Sequence, residues 1–136
     1  MLVLKRERRM QLLRGGEVLR EYPIALGGDP LGPKRKRGDR RTPEGEYVLD
    51  WRKENSDYHR AIHVSYPNQD DVRRAEELGV HPGAGIMIHG LPNGEGWIGE
   101  AHRGMDWTRG CIAVTDQEMD EIWELVDDGT PIEIRP

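Results

Sequence analysis

Three features of this 136-residue chain predict a mainly β fold with short helices. Its 17 glycines and 9 prolines demand many turns. Short apolar runs alternate with polar residues as half-buried strands do, and only two stretches carry helix-start signals. A single domain over residues 1–136 is expected, because the length suffices for a core and no repeat or linker divides the chain. A hydrophobic fraction of 35% without any phenylalanine is lean, which suits short strands.

In chain order, Leu2 to Lys5, Gln11 to Arg14 and Val18 to Leu26 read as strands. Gly15-Gly16 separates the last two and is a two-residue hairpin signal. A long loop leads to Thr42-Pro43, after which Tyr47 to Trp51 and Ala61 to Tyr66 alternate. Asn68 is placed to cap a helix that runs to Leu78 and stops at Gly79, with Val72, Ala75 and Leu78 facing inward. Thr115 and Glu118 have capping-box spacing ahead of a second helix. Its Met119, Ile122, Trp123 and Val126 form one buried face before Gly129 ends it. Ile132 to Ile134 closes a sheet.

Charge is unevenly spread. Residues 1–60 hold 15 Lys/Arg against 10 Asp/Glu, and residues 61–136 hold 5 against 15, for a net charge of −5. The basic run Lys34-Arg35-Lys36-Arg37, with Arg40 and Arg41 behind it, has no interleaved aromatic residue and sits in an acidic chain. That argues against nucleic acid and for a solvated loop or a weak grip on an anionic polymer. No stretch approaches the roughly 20 apolar residues of a membrane span. Basic residues follow Met1-Leu2-Val3-Leu4 immediately, so no signal peptide is read there.

The chemistry centres on the lone cysteine, Cys111, behind Gly110, and on His89, which with Gly90 closes the apolar run Ile86-Met87-Ile88. An unpaired thiol beside an imidazole is the parts list of a cysteine nucleophile, because the imidazole can accept the thiol proton during attack. Gly110 would let a substrate carbonyl approach backbone N–H donors for its oxyanion. The competing reading is a buried structural thiol next to a turn glycine.

The segments Ile86-Met87-Ile88-His89-Gly90, Trp97-Ile98-Gly99 and Thr108-Arg109-Gly110-Cys111-Ile112 resemble the catalytic signature of the L,D-transpeptidase (YkuD-type) family. Thr42-Pro43-Glu44-Gly45-Glu46-Tyr47, preceded by Tyr22-Pro23-Ile24-Ala25-Leu26-Gly27, is similar to that family's N-terminal half, so the likeness runs from about Leu2 to Ile134. The resemblance implies a β-sandwich of mixed sheets with a helix after the cysteine loop. It also implies a cell-envelope or periplasmic enzyme that needs no cofactor, here as a trimmed form. Cys111 would attack a peptidoglycan stem-peptide carbonyl, His89 would be the base, and the Gly90 carbonyl would be the third element. An amine acceptor gives cross-linking, whereas water gives L,D-carboxypeptidase or amidase action. Three departures stand out: Arg109 where a histidine is common, Ala113 where Arg or Asn is common, and a long segment Glu100 to Trp107 before the nucleophile.

Around this centre, Arg109 is a candidate for a bidentate grip on a substrate carboxylate. Trp97 and Trp107 are candidate cleft walls or packing residues, and His102 and Asp106 either line the cleft or are loop polarity. His59 and His63 read as surface or packing residues, with a cleft-facing His63 or Tyr66 as the alternative. Two rival classes remain. His81, His89, His102 and Cys111 have zinc-type ligand atoms but no zinc-site spacing, and a non-catalytic cell-wall-binding module would not need both His89 and Cys111. A monomer is expected.

Overall fold

The computed structural model describes residues 1–136. Eight strands form one mixed sheet: β1 (Leu2–Leu4), β2 (Arg9–Arg14), β3 (Glu17–Pro23), β4 (Gly45–Asn55), β5 (His59–Val64), β6 (Met87–His89), β7 (Ile112–Ala113) and β8 (Thr130–Arg135). Their order is β3-β2-β1-β8-β4-β5-β6-β7. Neighbours pair antiparallel except β1 with β8 and β6 with β7. Two α-helices, α1 (Gln69–Leu78) and α2 (Asp116–Leu125), and a 3-10 segment over Gly96–Gly104 complete the chain.

The two edges of the sheet meet. Beyond β3, Ala25 exchanges both backbone hydrogen bonds with Ala113 of β7 at 3.0 Å. The same seam continues where Gly28 N–H donates to Thr108 O at 3.0 Å and Thr108 N–H to Leu26 O at 3.2 Å. The sheet thus folds over on itself around one cluster of 20 buried hydrophobic residues. Alternation supplies that cluster: Tyr47 and Leu49 from β4 and Ile132 and Ile134 from β8 point in, while Val48 and Glu133 do not. The expected mainly β, mixed-sheet class with a helix after the cysteine loop is what forms.

Both helices start where capping predicts. Asn68 and Thr115 each accept from the N–H three residues on, and Asp71 and Glu118 reach back to close the boxes. Met119 and Ile122 of α2 are buried and the helix packs on β5; it ends at Leu125, with Val126 rather than Gly129 at its C-terminus. The inward face of α1 differs from expectation. Ala75 is buried, but Val72 and Leu78 are exposed, and Asp71 is buried in their place because the Tyr47 hydroxyl donates to its carboxylate at 2.7 Å. Strand β8 lies between β1 and β4 rather than at an edge. No helix is long and apolar enough to cross a membrane.

The Glu100–Trp107 segment is pinned, although nothing in it reads as an element. Arg103 Nη2 reaches both carboxylate oxygens of Glu118 at 2.9 and 2.8 Å, tying the segment to α2. Asp106 takes a bidentate contact from Arg8 at 3.1 and 2.7 Å and also accepts from the Leu26 N–H. This anchoring fixes the approach to the cysteine turn from both sides.

Candidate active site

Strands β6 and β7 carry His89 and Cys111 to one place. They run parallel, with Ile88 beside Ile112 and His89 beside Ala113. Cys111, one residue before Ile112, therefore falls in register with Met87 and shares a face of the sheet with His89. Ile88 and Ile112 point the other way into the core. The turn ahead of Cys111 is held by Thr108, whose Oγ1 donates to Cys111 O at 2.7 Å and accepts from Gly110 N–H at 3.1 Å. Gly110 has φ of 135°, and a Cβ there would sit 2.8 Å from Arg41 O, so only glycine lets the Arg40-Arg41 backbone cross so closely.

His89 is buried, and its Nδ1 lies 2.7 Å from Gly90 O. A carbonyl only accepts, so Nδ1 carries the proton and Nε2 of the neutral ring is the acceptor. The Tyr58 ring stacks on the imidazole at 4.0 Å and 21°. Burial pushes the His89 pKa down to about 4, against the pull of the Gly90 hydrogen bond, and nearby His102 lowers it further. Burial also pushes the Cys111 thiol up, opposed by a Met87 backbone hydrogen bond and the Lys34 charge. Its Sγ donates to Gly85 O at 3.4 Å. The two shifts point to one resting state, a neutral thiol and a neutral imidazole rather than a thiolate–imidazolium pair.

Cys111 and His89 line the same cleft of about 770 Å3, in the size range of small-ligand sites. Tyr58 forms one wall, Lys34, Arg37, Arg40 and Arg109 bring four cations, and no lining residue is acidic. Lys34 is buried with its Nζ on Asp39 Oδ1 at 2.8 Å. Burial alone would raise the Asp39 carboxyl, but the Lys34 contact and the N–H groups of Arg35, Lys36 and Arg41 hold it below the usual range. The folded 34–41 loop is therefore a rigid cationic rim, which focuses a field attractive to anionic ligands.

Of the residues singled out from sequence, Cys111, His89 and Arg109 meet in this cleft, with Gly90 and Gly110 in the adjoining turns. Trp97 is 82% exposed and does not line it. Trp107 stands behind the wall, its ring 5.9 Å from His89 and 6.1 Å from Tyr58. His102 is buried behind Trp107 and accepts the indole N–H on Nδ1 at 3.1 Å. His81 faces Arg37 and the Gly83 N–H instead, and no three His, Cys, Asp or Glu side chains gather as a metal site would require. Sequence reasoning passed over Tyr58, which has no local signal. It saw the basic 34–41 run without placing it at the thiol.

Comparisons with known proteins place the chain in a family. The family model for the L,D-transpeptidase catalytic domain, YkuD, matches residues 1–134. YafK of Escherichia coli (strain K12), whose name places it among the L,D-transpeptidases, is 33% identical over 131 residues, covering 91% of this chain and 45% of YafK. The crystal structure of the helical cell shape determining protein Pgp2 from Campylobacter jejuni superposes with a TM-score of 0.75 at 26% identity, covering 98% of this chain and 46% of Pgp2. Bd1075 of Bdellovibrio bacteriovorus gives 0.67 at 27% identity, over 98% of this chain and 46% of that one. The chain thus spans about half the length of the relatives it matches. With the family model covering residues 1–134 and YafK 33% identical over most of the chain, this chain belongs to the YkuD family of L,D-transpeptidase catalytic domains.

Proposed function

We propose that this domain is a cysteine acyltransferase of the cell envelope that remodels peptidoglycan stem peptides. In the acylation step His89 Nε2 takes the Cys111 proton as sulfur attacks the stem-peptide carbonyl carbon. The tetrahedral oxyanion collapses, the carbon–nitrogen bond to the terminal amino acid breaks, and His89 returns the proton to the departing amine. A thioester remains. An amine from a second stem then attacks the thioester carbonyl and gives its proton to His89; the carbon–sulfur bond breaks and His89 passes that proton to the departing sulfur, leaving cross-linked product and free thiol. Gly110 N–H is already donated to Thr108 Oγ1, so the oxyanion falls to the N–H of Cys111, next in the turn.

The observation that carries this reading is the parallel β6–β7 register, which sets a thiol and a fixed-tautomer imidazole on one face of a cleft. The cationic rim of that cleft suits a stem peptide, whose terminal and side-chain carboxylates are anionic. The test is incubation with a defined tetrapeptide muropeptide, with and without an amine acceptor, and product identification by mass. Loss of the terminal residue coupled to a new amide supports transfer. Loss of the residue with uptake of water marks the hydrolytic alternative, and no loss in either case contradicts both.

Arg109 is expected to grip a donor carboxylate through its planar fork. Arg109→Lys keeps the charge and loses the fork, so its kcat/KM on the tetrapeptide should fall nearly as far as that of Arg109→Ala. Wild-type kinetics in the lysine variant would show that only diffuse charge matters there.

A further inference from the structure

We propose that Asp116 is a positioning residue for His89, acting on the imidazole through the Gly90–Leu91 peptide group. The proposal rests on the reading of His89 as the base. The carbonyl that faces His89 Nδ1 at 2.7 Å belongs to the same amide whose N–H, that of Leu91, donates to Asp116 Oδ1 at 2.9 Å. Carboxylate, amide and imidazole therefore form one chain of hydrogen bonds. A carboxylate on the N–H end polarises an amide so that its oxygen becomes a stronger acceptor, and such chains strengthen cooperatively. The polarised carbonyl holds the proton on Nδ1, keeps Nε2 as the acceptor, and stabilises the imidazolium that forms when the thiol proton arrives. The arrangement does the work of a Cys–His–Asp triad with a peptide group inserted between the histidine and the aspartate.

The seat of this carboxylate is built from both sides. A Cβ at Gly90 would lie 2.7 Å from Asp116 Oδ1, and one at Gly96 would collide with Oδ2. Neither glycine has a positive φ, so space is what excludes a side chain: the carboxylate alone at Gly96, and at Gly90 the carboxylate together with His59, whose Cβ and O would lie 2.9 Å away. The backbone of Asp116 is fixed in turn. It is the first residue of α2, directly after the Thr115 cap, whose box with Glu118 is closed by contacts of 2.9 and 3.2 Å. The helix start therefore aims the carboxylate at the turn that follows the histidine, and two residues separate that helix from β7, the strand that Cys111 directly precedes.

The turn does not depend on Asp116 to fold. Gly90 N–H donates to His59 O and His59 N–H to Leu91 O, both at 2.9 Å, and neither bond involves Asp116. The other groups around the chain of bonds are His59, whose Nδ1 is 4.0 Å from Asp116 Oδ2 and whose Nε2 is held by Asp120 at 2.6 Å. Around the imidazole itself stand Tyr58, His102 behind Trp107, and the Cys111 thiol in the shared cleft. None of them touches the Gly90 carbonyl in place of the imidazole.

The experiment is nitrogen-15 NMR of the His89 ring together with single-turnover acylation by a stem tetrapeptide, in wild type, Asp116→Asn and Asp116→Ala. The wild type is expected to show one tautomer, protonated at Nδ1. The isosteric Asn keeps an acceptor for Leu91 N–H but no charge, so it should keep the tautomer and acylate about tenfold more slowly with KM unchanged. Ala should mix the tautomers and slow acylation further. A wild-type tautomer and wild-type acylation in Asp116→Ala would overturn the proposal and leave Asp116 as a helix-terminus residue only. The ring spectrum is read on the free protein, so it stands apart from the assignment of His89 as base, which fails separately if His89→Gln acylates normally.

Discussion

Cys111→Ala should lose turnover on stem peptides by roughly 10³-fold or more, the scale seen when a covalent nucleophile is removed, while melting within a few degrees of wild type. The loss is chemical because alanine offers no atom to form the acyl-enzyme. Folding survives because the thiol contributes little packing: Cys111 is partly exposed, and its polar side-chain contacts are the weak Sγ–Gly85 O bond at 3.4 Å and the Met87 backbone. The turn itself is fixed by backbone and by Thr108, whose hydroxyl contacts Cys111 O and Gly110 N–H remain in the variant. Steady-state assay and thermal unfolding on the same preparation check both halves. A variant with more than a trace of activity would remove Cys111 from the mechanism.

His89→Gln should slow acylation by about 10²- to 10⁴-fold, the range for positioned proton transfer. The pH dependence carries more information than the rate. Because burial pushes the His89 pKa down to about 4, the imidazole is neutral and able to accept a proton at any pH above that value. The acid limb of acylation is therefore expected near pH 4 and not at the ordinary histidine value of about 6.5. The thiol is pushed the opposite way, so simple alkylation by iodoacetamide should go on rising above the usual thiol value of about 8.5. In His89→Gln the acid limb of acylation should vanish, and only the slow alkaline rise should remain. A plateau of rapid alkylation from pH 5 upward would instead reveal a preformed thiolate–imidazolium pair, contrary to the neutral resting state.

How much of this was legible in the sequence depends on whether the signal was local. The Asn68 cap, the Thr115–Glu118 capping box, the Gly15-Gly16 hairpin and the alternation in β4 are properties of neighbouring residues, and the structure realises each of them, whereas adjacent Ala61 and Ile62 are both buried because β5 lies between β4 and β6. The pairing of His89 with Cys111 was legible as chemistry and as family resemblance, while the parallel register that brings them to one face was not. Where long-range partners decide, sequence reasoning fell short. Asp71 is buried in α1 because Tyr47, 24 residues earlier, donates to it. The Glu100–Trp107 segment has no apolar period, since its order comes from Arg8 and Glu118. Lys34 looked like one of a solvated basic run, yet Asp39 buries it against the cleft. Tyr58 and Asp116 act on His89 through a ring stack and a shared amide, neither of which leaves a spacing to read.

The central claim, that Cys111 forms a thioester with His89 as its base, is tested most directly by intact-protein mass spectrometry after exposure to imipenem. Its strained lactam presents an activated carbonyl, and ring opening by sulfur gives an adduct that no amine is present to resolve. One added drug mass on the wild-type chain is predicted, absent in Cys111→Ala and forming slowly in His89→Gln. An adduct that persists in Cys111→Ala, or a wild-type chain that stays unmodified by imipenem and by iodoacetamide alike, would contradict the account.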